Sequence, residues 1–309
     1  MHAVYFDDGK VEFREIDKPS DEGICVRVKS AGICGSDLHM LEMKFPGSFI
    51  AGHEIAGLLD DGTAVAVEPT IPCGECEYCR AGKYNLCPQL LVFGIARNGG
   101  MADEVIVPER CLVYLPANVD VKDACFIEPL AVAVHGMRKA EIKPGQRVAV
   151  IGGGTIGLCS VAVAIANHTE VGLSARYDHQ VEIGRSFGAG EIEGQYDLVV
   201  ESAGTDSALN KAMGMCRSGG KILILGTYWA GVSFPQLTAM IKEITIINSY
   251  MYAESEGIRD FDVAAALLSR NPGIAGALIT HRFPLNEAVK AFSVACDRKS
   301  GVIKAVLEP

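Results

Sequence analysis

The sequence predicts an α/β protein in which a doubly wound parallel sheet is accompanied by a β-rich region. Across residues 123–254 short apolar strands alternate with helical stretches, which is typical of a parallel sheet covered on both faces. Residues 1–122 instead show short apolar and polar alternations broken by glycine and proline, as antiparallel strands do. The remaining residues, 255–309, mix a helix expected at residues 257–269 with a last strand. A chain of 309 residues is long enough for two such domains.

Composition excludes several classes of function. The chain is 49 % hydrophobic and 21 % charged, as ordinary globular proteins are, and its net charge is −10. An acidic chain without a lysine or arginine cluster disfavours nucleic acid and anionic membranes as partners. No apolar run reaches the length of a membrane span, and the first residues do not resemble a signal peptide. Eleven cysteines, several among apolar neighbours, favour a reducing cytoplasm.

Four cysteines at short spacing predict a structural zinc site in a lobe at about residues 72–90. Thiolates suit a tetrahedral zinc, and Cys-x-x-Cys steps let successive sulfurs converge on one ion. An iron–sulfur cluster is an alternative, although the ferredoxin pattern leaves only three residues before its last cysteine instead of seven. Incidental or disulfide-forming cysteines are the other alternative. The predicted ligands are Cys73, Cys76, Cys79 and Cys87.

A glycine-rich turn between a strand and a helix predicts a dinucleotide site. The strand Arg147–Ile151 runs into the pattern GxGxxG, and an apolar helix follows to about Asn167. Glycines permit the tight turn and the close approach of a pyrophosphate, which the helix N-terminus attracts. The pattern alone is weak, but its position supports the Rossmann interpretation. The residues expected to bind the cofactor here are Gly152, Gly154, Thr155, Ile156 and Gly157.

The end of the next strand favours NADP(H) over NAD(H). NAD-binding chains place an acidic residue there to bind the ribose 2′-hydroxyl. This chain has Ser174 and Arg176 instead, and no acid before Asp178. A guanidinium and a hydroxyl suit a 2′-phosphate, which an acid would repel. The alternative is that Arg176 is a solvated surface residue and NAD binds without the usual acid.

A second metal site is suggested by Cys34, His53 and Glu54, each in a turn edged by glycine. A thiolate, an imidazole and a carboxylate form a mixed ligand set that leaves a fourth zinc position for water or substrate. Spacing alone supports this weakly, because a single buried histidine is more often a satisfied core residue.

The order of these motifs resembles that of the zinc-dependent medium-chain alcohol and polyol dehydrogenases. The Cys34-Gly-Ser-Asp-x-His39 segment, Gly52-His53-Glu54, the four-cysteine lobe and the glycine turn all occur in that family's order. Glu128-Pro129-Leu130 resembles the sorbitol and threonine dehydrogenase branch. The resemblance implies a GroES-like catalytic domain carrying both zincs, completed by residues 255–309. It also implies a Rossmann domain inserted between these parts, with the active site in the cleft.

The resemblance also implies roles for individual residues. Ser36 and His39 match the positions that pass a proton between the substrate and solvent. Glu128 matches a carboxylate that ligates zinc or binds its water. The simpler interpretations are a turn cap for Ser36, a surface position for His39 and a helix N-terminal carboxylate for Glu128. The implied catalytic zinc ligands are Cys34, His53 and Glu54.

The implied reaction is reversible oxidation of a secondary alcohol (polyol, sugar or amino-alcohol) to a ketone, with NADP as hydride acceptor. A zinc-independent quinone or enoyl reductase and a non-catalytic NADPH-binding protein are the alternatives. A zinc ribbon that binds nucleic acid is disfavoured by the acidic charge.

The chain departs from the family in length. The linker around Asp60–Gly62 is shorter than usual, which leaves the rim of the substrate pocket open to question. Pocket residues are expected near Phe45, Phe93 and Leu115 and in the C-terminal tail. A homodimer or homotetramer is expected, and the run Ile244–Tyr250 is a candidate for pairing between subunits.

Overall fold

The computed structural model describes residues 1–20, 22–297 and 299–309. It divides the chain into two compact units. One comprises Met1–Glu128 together with Ala253–Pro309, and the other comprises Pro129–Tyr252. The second unit is therefore an insertion in the sequence of the first.

The first unit contains mainly short antiparallel strands. Its strands are β1 (His2–Asp7), β2 (Lys10–Glu15), β3 (Ile24–Gly32), β4 (Ser48–Ile50), β5 (Glu54–Leu58), β6 (Ala64–Val67), β7 (Thr70–Ile71), β8 (Leu91–Val92), β9 (Glu104–Val107) and β10 (Leu112–Tyr114). Its first helices are α1 (Gly35–Glu42) and α2 (Glu77–Arg80).

The second unit alternates strands with helices. Its helices are α3 (Ile127–Lys139, which begins in the first unit), α4 (Thr155–Ala166), α5 (Asp178–Phe187), α6 (Asp206–Met215) and α7 (Gln236–Ile241). Its strands are β11 (Arg147–Ile151), β12 (Glu170–Ser174), β13 (Tyr196–Glu201), β14 (Cys216–Ile224) and β15 (Thr245–Asn248).

The C-terminal segment returns to the first unit. Its strands are β16 (Glu254–Ser255), β17 (Ile258–Arg259), β18 (Ile279–Pro284) and β19 (Lys304–Glu308), and its helices are α8 (Asp260–Arg270), α9 (Gly273–Leu278) and α10 (Ala288–Cys296). The main sheet of the first unit has the order β10-β6-β5-β3-β19-β18, with β9 also paired to β3. The last strand of the chain thus lies beside β3, near the middle of this sheet. Its buried core includes Val26, Ile55, Met101, Phe292 and Leu307.

The sheet of the second unit is parallel and has the order β12-β11-β13-β14-β15. A six-stranded doubly wound sheet has one further strand outside the position of β12. Here the described residues between α5 and β13 contribute only a bridge from Gly190 to Gly172. Arg147 fastens this short connection, since its guanidinium donates to the carbonyl oxygens of Gln195 (2.6 Å) and Glu193 (2.9 Å). β12 is consequently an edge strand.

The structure differs from the sequence-based prediction at several elements. The segment after Cys34, expected to be a turn, forms helix α1. The C-terminal helix expected at residues 257–269 begins at Asp260, because residues 254–259 form the small β16–β17 hairpin. β15 lies at the other edge of the parallel sheet, and its pairing between subunits stays a prediction. None of the helices in the described part of the chain combines the length and apolar character needed to cross a membrane.

Candidate active site

The central sheet places Glu54 and Lys304 on either side of β3. Glu54 pairs with Gly32, and Gly32 also pairs with Val306 of β19. A Cβ atom on Gly32 would lie 1.9 Å from Glu54 Oε2, so only glycine leaves room for this carboxylate. Lys304, two residues before Val306, donates to Glu54 Oε1 at 2.6 Å and to the carbonyl oxygen of Ile33 at 2.9 Å.

Three of the predicted ligands converge at the end of β3. Cys34 caps the N-terminus of α1, His53 directly precedes β5 and Glu54 is the first residue of β5. One ligand atom from each of these residues lies within 4.8 Å of the others. His53 and Glu54 are buried and Cys34 is half-buried. The structure thus brings together all three residues of the mixed set.

Asp37 orients the cluster, and the sequence analysis did not identify it. Its Oδ2 accepts a hydrogen bond from the backbone N–H of Cys34 at 2.9 Å. Its Oδ1 lies 3.5 Å from His53 Nδ1, which leaves His53 Nε2 to face Cys34 and Ser36. A carboxylate behind a histidine fixes the ring orientation and its tautomer at metal sites. Asp37 falls three residues after the helix cap, a capping-box position that the sequence displayed.

The cluster carries an excess of negative charge. Burial alone would lower the pKa of His53, but the charges of Asp37 and Cys34 raise it well above its ordinary value. Burial likewise opposes the charge of Lys304, while Glu54 and Cys34 raise its pKa on balance. Burial raises the pKa of Asp37 against the attraction of His53. Such a pocket favours a bound cation.

The donor atoms fit a zinc ion. Glu54 Oε2 is buried and has no hydrogen-bond partner among the described residues. An orphaned buried carboxylate oxygen is energetically unfavourable, and a metal ligand bond would satisfy it. Sulfur, nitrogen and oxygen donors in a set of three are the pattern of catalytic zinc sites.

Of the predicted proton-transfer residues, Ser36 lies beside this cluster and His39 lies farther along helix α1. Ser36 Oγ is 3.5 Å from His53 Nε2. His39 is one helical turn later on α1, partly exposed, with Nδ1 3.5 Å from Glu42 Oε2. Glu128 is buried in the first turn of α3, and its charge acts on both His53 and Lys304. The catalytic roles of these residues stay predictions.

The four cysteines form a second, self-contained cluster. Their sulfurs all lie within 4.8 Å of one another, with Cys76 to Cys79 at 3.4 Å and Cys73 to Cys79 at 3.8 Å. Sulfurs around a tetrahedral zinc are separated by about 3.8 Å, given Zn–S bonds of about 2.3 Å. The backbone N–H of Cys73 points to Cys87 Sγ at 3.4 Å. All the cysteines carry free thiols, so this geometry suits one closed tetrahedral ion.

The thiols of the lobe differ in acidity. Backbone N–H groups of Glu75 and Cys76 lower the pKa of Cys73 to about 7. Burial and the neighbouring thiol of Cys76 raise the pKa of Cys79 to about 12. Backbone N–H groups that stabilise a thiolate are the expected surroundings of a metal-binding sulfur.

In the second unit the glycine turn has the geometry of a pyrophosphate cradle. Gly152 has a φ of +110°, and a Cβ on Gly157 would lie 1.9 Å from the carbonyl oxygen of Gly152. Gly154 caps α4 without a side chain, and a Cβ there would meet nothing within 4 Å. Thr155 and Ile156 form the first turn of α4. The residues therefore fit a dinucleotide bound at the N-terminus of this helix.

The end of β12 lies directly beside this turn. The carbonyl oxygen of Ser174 accepts a hydrogen bond from Gly152 N at 2.9 Å. Arg176 is exposed, and its guanidinium lies over the ring of Tyr177 with its carbon 5.6 Å from the ring centroid. Both residues lie at the position predicted from the sequence for the adenosine ribose.

One of the predicted pocket residues lines a cavity to which the candidate metal ligands do not contribute. Phe93 is buried and lines a cavity of about 680 Å³ with Phe49 and Arg97. Cys34, His53 and Glu54 are not among the described residues that line it. Phe45 is partly exposed, and the location of the substrate pocket stays a prediction.

Comparison with known proteins agrees with this fold. Residues 20–117 match the family described as the alcohol dehydrogenase GroES-like domain, and residues 190–270 match the one described as zinc-binding dehydrogenase. A probable D-xylulose reductase A from Aspergillus clavatus is 31 % identical over 331 residues, which cover 94 % of this chain and 90 % of that protein.

Solved structures share the whole architecture. A zinc-binding dehydrogenase from Sinorhizobium meliloti 1021, bound to NADP, matches with a TM-score of 0.88 and 28 % identity, covering 100 % of this chain and 99 % of that one. A dehydrogenase from Escherichia coli CFT073, complexed with NADH, matches with a TM-score of 0.89 and 27 % identity at the same coverage.

Fold, cluster geometry and relatives together define a zinc-type alcohol dehydrogenase. The chain belongs to the zinc-dependent medium-chain polyol dehydrogenase family. The predicted combination of a GroES-like domain with a Rossmann-type parallel sheet is confirmed, and so is the prediction of an enzyme. Membership of this family supports the binding of zinc and of a nicotinamide cofactor.

Proposed function

We propose that the protein reversibly oxidises a secondary alcohol of a polyol or sugar to a ketone with NADP(H), using one catalytic and one structural zinc. The observation that carries the proposal is the convergence of Cys34, His53 and Glu54 within 4.8 Å of one another, together with the buried Oε2 of Glu54, which has no hydrogen-bond partner in the described chain. Binding modules without catalysis do not need a mixed ligand set that leaves a position open.

Each residue of the cluster has a distinct task in this proposal. Cys34, His53 and Glu54 would hold the zinc, Asp37 orients the ring of His53 and Lys304 fixes Glu54. A zinc held there would supply Lewis-acid polarisation of a substrate hydroxyl, and a bound nicotinamide would supply the hydride acceptor. Glu128, buried near His53, would ligate the metal or accept a hydrogen bond from a water bound to it.

A short route on α1 carries the proton away. Ser36 Oγ lies against His53 at the buried end, and His39 follows one turn later on the same helix face at a partly exposed position. A hydroxyl can accept one proton while donating another, and an imidazole exchanges protons with water near neutral pH. The pair therefore connects the buried cluster to solvent.

The cofactor preference follows from the end of β12. Ser174 and Arg176 offer a hydroxyl and a guanidinium where an acid would select NAD, and a phosphate binds well to both groups. The polyol substrate class follows from the relative named as a D-xylulose reductase, which supports a small hydroxylated substrate.

The test is turnover and metal content of Cys34→Ser beside a matched control. We expect wild type to hold about two zincs and to reduce NADP at 340 nm with at least one member of a polyol panel. Cys34→Ser should lose one zinc and at least about 10³-fold in kcat, because the ligand set of the catalytic ion is broken. Cys25→Ser changes a thiol in β3 outside both clusters and should retain activity.

An active Cys34→Ser enzyme, or a wild type with a single zinc in the lobe, contradicts the mechanism. Thermal denaturation of both variants guards against a trivial loss of fold. Turnover with NAD alone rejects the cofactor preference and leaves the zinc chemistry intact.

A further inference from the structure

We infer that Lys211 is a specificity-determining residue that supplies a second positive charge to the adenosine 2′-phosphate of NADP(H). The inference rests on the proposed NADP preference and concerns the same site. Lys211 lies on α6, in a part of the sequence without any cofactor motif.

A direct contact ties Lys211 to the predicted phosphate site. Its Nζ donates to Ser174 Oγ at 2.5 Å, across 37 positions of sequence. α6 packs on β11, β13 and β14, so this side chain extends past β11 to the end of β12. β12 is an edge strand here, bridged on its outer side by Gly190. The end of this strand is therefore within reach of a side chain from α6.

The hydrogen-bond chemistry leaves Ser174 ready for an anion. The Ser174 hydroxyl oxygen accepts from Lys211, so the hydroxyl hydrogen is directed elsewhere and remains available as a donor. A phosphate that replaces or joins this contact receives one O–H donor and one N–H donor from the pair. A phosphate dianion binds most tightly where several charged donors meet it.

The charge around Ser174 is positive, which also favours an anion. Within residues 1–20, 22–297 and 299–309, neither Arg176 nor Lys211 forms an ion pair with a carboxylate. The guanidinium of Arg176 rests over Tyr177, and the ammonium of Lys211 contacts an uncharged hydroxyl. Asp178 and Asp206 begin the helices α5 and α6 and are the acidic residues nearest in sequence. Two cations without acidic partners beside the predicted ribose site are therefore suited to a doubly charged group.

The competing explanation is that Lys211 only tethers α6 to β12. Binding of two cofactor fragments separates the explanations without requiring turnover. Adenosine 2′,5′-bisphosphate and adenosine 5′-monophosphate differ only in the 2′-phosphate, and isothermal titration calorimetry gives Kd for each with the intact enzyme. The variants are Lys211→Gln, which removes the charge but keeps a donor, and Lys211→Arg, which keeps the charge.

The matched control is Lys143→Gln, an exposed lysine before β11, at the amino ends of the parallel strands. We expect Lys211→Gln to weaken the bisphosphate about tenfold, the effect of one charge-assisted contact, and to change the monophosphate less than about twofold. Lys211→Arg and Lys143→Gln should leave both values near wild type. The NADP/NAD ratio of kcat/KM should fall for Lys211→Gln alone.

Three outcomes overturn the inference or its basis. Equal weakening of both fragments by Lys211→Gln identifies a structural tether. If wild type prefers the bisphosphate but Lys211→Gln leaves the bisphosphate Kd unchanged, the role of Lys211 is overturned and the NADP preference is retained. A wild type that binds both fragments equally well rejects the NADP preference itself.

Discussion

The two candidate metal clusters of the first unit are built in opposite ways. The four cysteines come from one continuous stretch, residues 73–87, and three of them are only half-buried. The mixed cluster is assembled from the end of β3, the start of α1 and the start of β5, and is supported from β19 by Lys304, 250 residues away from Glu54. Glu54 and Asp37 in this cluster are fully buried.

This difference assigns stability to the four-cysteine cluster and reactivity to the mixed cluster. Where four sulfurs on one loop bind a metal, the metal stabilises the loop in place of a hydrophobic core. Loss of the metal should therefore unfold the loop. The mixed cluster lies on a sheet that is held by its own packing, so its ligands can be changed with less damage to the fold. Its charges, in contrast, are interdependent, because each is buried beside another.

The largest expected effect is on the stability of Cys87→Ser. Cys87 is buried and receives the backbone N–H of Cys73, so its replacement removes both a ligand and a loop contact. We expect Tm to fall by roughly 10 °C, since about 1 kcal/mol corresponds to 2–4 °C in a protein of this size. Differential scanning calorimetry and limited proteolysis of residues 72–90 measure the effect.

Cys34→Ser is the paired variant for this comparison. It should leave Tm within a few degrees of wild type while abolishing turnover, whereas Cys87→Ser should lower Tm first and activity in consequence. Equal losses of Tm in both variants would show that the two clusters do not divide stability and reactivity between them.

Removal of Lys304 should give an effect on stability of similar size. Lys304→Met leaves Glu54 without its cation in a buried position, and breaking a buried pair in this way destabilises by about 3–5 kcal/mol. Lys290→Met breaks a pair with Glu287 of nearly the same length, 2.7 Å against 2.6 Å, but with the lysine largely exposed. That variant should stay within about 1 kcal/mol of wild type.

Urea denaturation of the two lysine variants gives both free energies of unfolding. If Lys290→Met lowers the free energy of unfolding as much as Lys304→Met does, burial is not what makes the pair with Glu54 strong. If neither variant changes stability, Glu54 is compensated by another cation, and zinc content should then be unchanged in Lys304→Met.

The same contrast explains what the sequence could predict. The cysteine lobe and the glycine turn are local patterns: spacing predicted the lobe, and the glycine turn needed only the strand before it and the helix after it. Cys34, His53 and Glu54 needed the family resemblance, because nothing near them in sequence shows that β3 and β5 adjoin. Lys304 could not be found at all, since only the pairing of β19 with β3 brings it to Glu54.

The edge of the parallel sheet could not be predicted for a similar reason. The alternation of strands and helices in the second unit was predicted, but the position of β12 at the edge depends on the order of strands. That order also creates the contact of Lys211 with Ser174. Asp37 is a milder case, since its capping position was visible while its contact with His53 was not.

The smallest of the predicted effects concerns Asp37. Asp37→Asn keeps an oxygen that can accept from the backbone N–H of Cys34, so helix α1 should remain capped. It removes the negative charge opposite His53 Nδ1, which weakens the orientation and basicity of the ring. We expect a 10- to 100-fold loss of kcat/KM or of affinity for the more weakly held zinc.

Asp61→Asn is the matched control, because Asp61 accepts a hydrogen bond from the backbone N–H of Thr63 at 2.9 Å in an exposed turn after β5 and belongs to neither ligand cluster. Chelator competition then distinguishes the two clusters within one protein. Asp37→Asn should release its first zinc at a lower chelator concentration and its second as wild type does. Release of both zincs together would mean that Asp37 supports the fold of the whole unit rather than the ring of His53.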